Sequence, residues 1–219
     1  MHTITAIEPQ TKNPRRVNLY LDGEFALGLE SVLTAWLEIG QQISDEKISA
    51  LQAEDAFETM KQKSLHFMSY RPRSCEEVRR NLLSHGCNEK LVEDIITCHQ
   101  QSGLLDDGEF ARAWVENRNV FRQRSKSMLR YELRQKGVSE DIIQPVLDES
   151  VDEGTLALTA ARKHARRYAS LEWFEFRQKL GGFLARRGFS YSTLSPIVSQ
   201  VWKEMQAAGS GITNETEEN

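Results

Sequence analysis

Three leucines set 51 residues apart, Leu82, Leu133 and Leu184, are each followed four positions later by glycine, at Gly86, Gly137 and Gly188, and this constrains the chain more than any other feature. An apolar residue follows each glycine (Cys87, Val138, Phe189), and the same step pairs Val92 with Ile143 and Leu194, and Ile95 with Val146 and Ile197. It also relates Gly103 to Gly154, and Arg71-Pro72-Arg73-Ser74 to Arg122-Gln123-Arg124-Ser125. A repeat of about fifty residues is one supersecondary unit; alone it buries too little apolar surface, and stacking on its neighbours supplies the rest.

The repeated positions read as helix punctuation. Ser74 and Ser125 are suited to N-cap a first helix, with Glu77 completing a capping box in the first copy. Gly86, Gly137 and Gly188 supply the left-handed residue that ends it. Asn88, Ser139 and Ser190 or Ser192 then cap a second helix with an apolar stripe at i, i+3 and i+4. Leu104-Leu105-Asp106-Asp107 turns the chain into a third helix through Phe110, Trp114 and Val115 to about Phe121, matched in the second copy from about Thr155 to Tyr168. The third copy stops near Met205, after its second helix, and Trp173, Phe174 and Phe176 are expected to pack a joint between modules. With 39% hydrophobic and 8% aromatic residues, thin helical layers are favoured over one thick core.

Before the repeats, Thr3 to Glu8 alternates, and Val17 to Leu21 faces Glu24 to Leu29 across Asp22-Gly23, a strong hairpin signal. Ser31 to Glu38 reads as a short helix ended by Gly40, and Ser44 starts a longer one. The expected fold is mainly α, an elongated array of tandem three-helix repeats with a small N-terminal β-hairpin region. The expected divisions are residues 1–43 (hairpin and short helix), 44–69 (connecting helix), 70–121 and 122–172 (repeats one and two), 173–208 (a truncated third repeat) and 209–219 (a disordered tail).

Charge is distributed unevenly behind a net of −4. Residues 70–187 hold 21 Lys+Arg against 18 Asp+Glu, and windows 110–136 and 162–187 each hold eight basic and two acidic residues. Two clusters are the candidate partner-binding residues: Arg112, Arg118, Arg122, Arg124, Lys126, Arg130 and Arg134, then Arg162, Lys163, Arg166 and Arg167. Like charges four apart on a helix repel by a few tenths of a kcal/mol, so an unpaired cluster favours an anionic partner, with a solvated charged face as the alternative. Arg122 and Lys126 would share a face only if the helix ran through the link between them.

No constellation for catalysis is present. His2, His66, His85, His99 and His164 are scattered, and no catalytic, cofactor or metal residues are expected. Asp106-Asp107 reads as a helix N-terminus, Trp114 as core, and Gly181-Gly182 as close helix packing or a kink. Cys75, Cys87 and Cys98, eleven and twelve apart, read as reduced thiols. There is no signal-peptide apolar segment and no window near the roughly 18 apolar residues of a membrane span, so a cytoplasmic protein without membrane contact is expected.

Taken together, the Leu-x-x-x-Gly steps, Gly103-Leu104-Leu105-Asp106-Asp107, Phe110-Ala111-Arg112-Ala113-Trp114 and Arg118 resemble the RecX family over about Tyr70 to Trp202. Tyr20-Leu21-Asp22-Gly23-Glu24-Phe25 is similar to the leader of its longer members. The resemblance implies a non-enzymatic regulator of the RecA recombinase, with inhibition the expected sense; separately, a monomer is expected. It would bind the RecA filament in recombination, DNA repair and the SOS response, approach DNA phosphates there, and need no cofactor. The rival expectation is a helical module that binds nucleic acid directly, without RecA. The third copy departs from the pattern, with Gly181 where the others have Arg79 and Arg130.

Overall fold

The structure, a computed structural model, describes residues 1–210, with side chains as far as Ala208. Apart from Gly209 and Ser210, the expected tail 209–219 lies outside the described residues. Two compact units are distinguished: residues 1–73 with 77–105, and residues 74–76 with everything from Asp106 onward.

In the N-terminal unit, β1 (His2–Gln10), β2 (Asn13–Leu21), β3 (Glu24–Glu30) and β4 (Gln42–Ile43) form an antiparallel sheet in the order β3-β2-β1-β4, larger than the expected hairpin. Asp22 and Gly23 both have positive φ, 52° and 92°, which matches the twist of the flanking strands. The helix expected at Ser31–Glu38 is reduced to one 3₁₀ turn, Ser31–Thr34, with none of its own residues buried. Instead Leu37 buries alone with Ile4, Leu19, Leu29 and Ile43 under the sheet, and Gly40 (φ 91°) returns the chain to β4. Helix α1 (Asp45–Ser69) is N-capped by Ser44, as expected, and closes this core with Leu51. Arg16 straps sheet to helix: its Nη2 donates to Asp55 (2.8 Å) and to the Gly28 carbonyl (2.9 Å), and its Nη1 to Thr59 (2.9 Å). Helices α2 (Cys75–Ser84) and α3 (Glu89–Gln101) follow, burying Val78, Leu82, Val92, Ile95 and Ile96.

The C-terminal unit holds α4 (Asp107–Phe121), α5 (Lys126–Gln135), α6 (Glu140–Ser150), α7 (Glu153–Ala165), a 3₁₀ turn Arg166–Tyr168, α8 (Trp173–Arg186) and α9 (Tyr191–Ser210). Its apolar side chains fall into two clusters. Phe110, Ala111 and Val115 of α4 pack with Leu129 and Leu133 of α5 and Ile143, Val146 and Leu147 of α6. Ala157, Ala160 and Ala161 of α7 pack with Phe176, Leu180 and Leu184 of α8 and Leu194, Ile197 and Val201 of α9. These clusters phase the modules one helix earlier than the leucine–glycine spacing does, so boundaries at 121/122 and 172/173 separate helices that share a core. Counted from α7, the third module has all three helices and is not truncated. The physical reason is that the leucine and glycine mark the middle helix of each bundle, and a period alone does not say where a unit begins.

One further expectation is corrected. Trp173 and Phe176 do not form a joint between modules; they pack inside the third module against Trp202, with ring centroids 5.6 and 4.9 Å away, while Phe174 is 77% exposed. Gly181 and Gly182 lie within the continuous helix α8, where a Cβ on Gly181 would meet Leu194 of α9 at 3.8 Å. Their lack of side chains opens a groove of about 340 Å³ between α8 and α9.

Candidate anion-binding site

The middle-helix glycines place the site. Gly188 (φ 90°) ends α8 so close to the start of α5 that an added Cβ would lie 2.4 Å from Ser125 Oγ. The Ser125 amide donates to the Arg187 carbonyl (3.1 Å), and Ser127 Oγ to the Gly188 carbonyl (3.2 Å). One repeat earlier Ser74 Oγ donates to the Lys136 carbonyl (2.6 Å), immediately before Gly137. Serine and glycine therefore recur together because, within this unit, each serine meets the helix end that the next repeat's glycine closes.

The break between α4 and α5 is fixed by Gln123, a buried non-glycine residue with φ 26°. Its amide donates to the carbonyls of Asn119 (3.0 Å) and Val120 (2.9 Å), holding the last turn of α4. Its own carbonyl accepts from Arg187 Nη1 at 3.2 Å. Arg122 is therefore turned out of the helix, and α4 does not run through to Lys126, so those two residues share no face.

Most of the first basic cluster is internally neutralised. Arg118 Nε donates to Glu132 (2.8 Å) with its guanidinium 4.2 Å from the Trp114 ring centroid, and Arg124 lies 3.2 Å from the other oxygen of Glu132. Trp114 Nε1 donates to the same carboxylate (2.9 Å). Arg130 and Arg134 both pair with Glu140, at 2.8 and 2.7 Å, and Lys126 with Asp148 at 3.2 Å. In the second cluster Arg162 makes a bidentate pair with Glu204, whose carboxyl is held down to about 2 first by Arg162 and then by Gln200. Such pairs hold helices in register and leave little charge for a partner.

The remaining cations converge, together with the paired Arg124, on the seam between the second and third modules. Arg122, Arg124, Arg186 and Arg187 line one pocket of about 380 Å³ with Phe183. Lys163, Arg167 and Arg187 line an adjoining one of about 310 Å³ with Phe121, Gln123, His164 and Phe183. No carboxylate lines either pocket. Burial, then the neighbouring Arg124 and Arg122, depress the pKa of the Arg187 guanidinium, which also lies 4.5 Å from the Phe183 ring centroid. Apart from Arg124, which Glu132 pairs, these cations meet no carboxylate in either lining, and like charges gathered in this way raise the local potential and draw anions.

Of the residues expected from sequence, the structure brings together Arg122, Arg124, Lys163 and Arg167. It leaves Arg112 and Arg166 exposed and outside both pockets, and engages Arg118, Lys126, Arg130, Arg134 and Arg162 elsewhere. Arg186 and Arg187 complete the site and were not singled out. Their signal was position: they immediately precede the repeat glycine, where the chain turns onto the neighbouring module. Asp106 caps α4 through the Gly108 and Glu109 amides, whereas Asp107 accepts the Cys75 amide at 2.8 Å, so both are structural. Among the described residues no group of three or more His, Cys, Asp or Glu is placed to hold a metal ion, the three cysteines are free thiols, and no helix is long and apolar enough to cross a membrane.

Comparison with known proteins divides the chain in the same phase as its cores. Residues 2–44 match the regulatory protein RecX N-terminal domain, and residues 61–97, 106–147 and 152–195 match the first, second and third three-helix domains of RecX. The chain is 28% identical to regulatory protein RecX of Clostridium tetani over 207 residues, covering 92% of this chain and 95% of the relative. It is also 28% identical to that of Bacillus subtilis over 205 residues, covering 92% and 78%. A crystal structure of regulatory protein RecX superposes with a TM-score of 0.72 at 27% identity, covering 90% of this chain and 98% of the other. RecX from Lactobacillus salivarius shares the fold, with a TM-score of 0.59 at 23% identity over 70% of this chain and 99% of the other. With a matched leader and three matched three-helix domains in order, the chain belongs to the RecX family.

Proposed function

We propose that this protein regulates RecA by binding the RecA–DNA filament, with inhibition the expected sense, and that its basic seam is a principal contact. It acts in the cytoplasm by binding, without cofactor or catalysis. The observation that carries this reading is the convergence of Arg122, Lys163, Arg167, Arg186 and Arg187 on one seam with no lining carboxylate, in a chain of the RecX family. A filament offers both acidic protein surface and DNA phosphates, and phosphates bind such clusters with release of counterions.

The test is RecA ATP hydrolysis on single-stranded DNA with increasing amounts of this protein, compared with an Arg122→Glu/Arg186→Glu variant. Both arginines are exposed at the seam, so the variant is expected to fold and to need at least tenfold more protein for the same effect. Equal potency of the two proteins would remove the seam from the interface, and no effect by either would overturn the regulator reading. Arg118→Glu is a poor probe, because it would set a second carboxylate against Glu132 and remove the guanidinium that covers the Trp114 ring. A direct nucleic-acid module remains the second reading, favoured by Phe121, which is 69% exposed at the rim of the pocket where an unpaired base could stack. Undiminished oligonucleotide binding with no effect on RecA would select it.

A further inference from the structure

His164 is the one titratable group in the seam able to change charge near neutrality. Its ring stacks flat on Phe183, with centroids 3.7 Å apart and planes 4° from parallel, and its Nε2 lies 3.2 Å from Tyr168 Oη. Every charge facing it is positive. Lys163 and Arg167 flank it from α7 and the turn that follows, Arg186 and Arg187 face it from α8, and the α4–α5 link brings Arg122 and Arg124 to the adjoining pocket. From α9, which packs along α7, the carboxylate of Glu204 is already taken by Arg162. Burial first, then Arg167, Arg187 and Arg186, hold the imidazole below its ordinary pKa, so the empty seam keeps it neutral at pH 7.

A bound anion reverses that balance. A phosphodiester seated among Arg167, Arg186 and Arg187 cancels the field that opposes protonation and adds an attractive charge. The imidazole, fixed by its stack on Phe183, cannot swing away to avoid it. We infer that the seam captures the phosphodiester backbone of single-stranded nucleic acid and takes up a proton on His164 as it does so. This deepens the filament reading and rests on its assignment of the seam. Single-stranded nucleic acid is favoured over an acidic protein surface because two adjoining basic pockets share Phe183 and Arg187 beside exposed Phe121, which alternates phosphate-sized and base-sized features. Binding and protonation are then linked, and affinity rises as pH falls through the histidine range by at most about tenfold per pH unit.

The experiment is calorimetric titration of the full chain with a single strand of about fifteen deoxythymidines, in buffers of different ionisation enthalpy, between about pH 6 and pH 8. Neither phosphodiester nor thymine titrates in that range, so protons taken up belong to the protein. The wild type is expected to bind with uptake of a substantial fraction of a proton near pH 6.5, and His164→Gln to lose both that uptake and the matching gain in affinity. The other four histidines all lie in the N-terminal unit, so the variant isolates this one. The imidazole proton resonances of His164, followed by NMR with and without the strand, give an independent readout in the unaltered protein, with an upward pKa shift expected on binding. Binding without proton uptake, uptake undiminished in the variant, or an unmoved His164 titration would overturn the inference while leaving the seam as the contact. Absence of binding, with RecA regulation intact, would overturn it in favour of a carboxylate-bearing protein surface.

Discussion

At the residue scale the protein separates two histidines whose protonation has opposite consequences. His99 is 1% exposed in the N-terminal unit, with Nε2 2.7 Å from Ser64 Oγ. Ser64 gives its only proton to the Lys61 carbonyl (2.7 Å), so Nε2 must carry the hydrogen and donate, and the buried Nδ1 has no partner among the described residues. Protonation would place a charge on that atom with nothing to receive it, and burial, then Lys61, hold the pKa below the ordinary 6.5. A depressed histidine pKa means that the unfolded chain binds the proton first. Stability is therefore full above about pH 6.5 and declines as pH falls toward and through the folded value. Thermal unfolding of the wild type should shift to lower temperature between about pH 7.5 and 5.5, and His99→Gln should flatten that decline; parallel curves would refute the assignment. Nothing in the sequence distinguished His99 from the other histidines, because its neutrality comes from tertiary burial and then from Lys61, on a different helix.

At the element scale, the helices were legible wherever capping and period agreed. Asn88 caps α3 and Ser125 caps α5, and glycines at 86, 103, 137 and 188 all take positive φ. The phase of the modules was not legible, because every middle helix has a helix on either side and only the side chains of Phe110, Val115, Ala157 and Ala161 decide which bundle owns the preceding one. Charge pairing was also beyond reach: Glu132 and Glu140 are two acids in a basic stretch, and between them they pair with Arg118, Arg124, Arg130 and Arg134. The seam gives a prediction at this scale. Gly188→Ala puts a Cβ on a φ of 90° and against Ser125 Oγ, and should destabilise the C-terminal unit by about 1–3 kcal/mol, measured by denaturant unfolding. Gly103→Ala meets nothing within 4 Å and carries only the backbone cost, so it should lose less; equal losses would show that close approach at the seam contributes nothing.

For the whole molecule, the net of −4 conceals an uneven distribution along the chain. Residues 106–210 carry 17 Lys+Arg against 14 Asp+Glu, residues 1–105 carry 11 against 15, and residues 211–219 add three Glu. An acidic chain can therefore present a local anion site, and its binding should be governed by the few seam cations and not by net charge. Affinity for a single-stranded oligonucleotide should fall linearly on a log–log plot against salt. Removing one seam cation by Arg186→Gln should reduce the slope by about 0.7, and Arg134→Gln, already paired with Glu140, by much less. Equal changes would mean that pairing does not decide which arginines bind. How many cations a polyanion meets was estimated from sequence as eleven candidates, and ion pairs set by tertiary packing reduce that number.

The serine-to-glycine seam also determines how far such stacking can propagate. Ser125 receives the end of the third module's middle helix, but one more step of 51 residues arrives at Phe176, which is fully buried within its own bundle. Helix α8 begins at Trp173, a turn earlier in the repeat than α5, with Glu172 making no side-chain cap. Among the described residues the third module thus closes onto its predecessor and carries no serine at the position where the second module receives it. The stacking register is written with its own terminator, spelled by an aromatic residue in place of a hydroxyl.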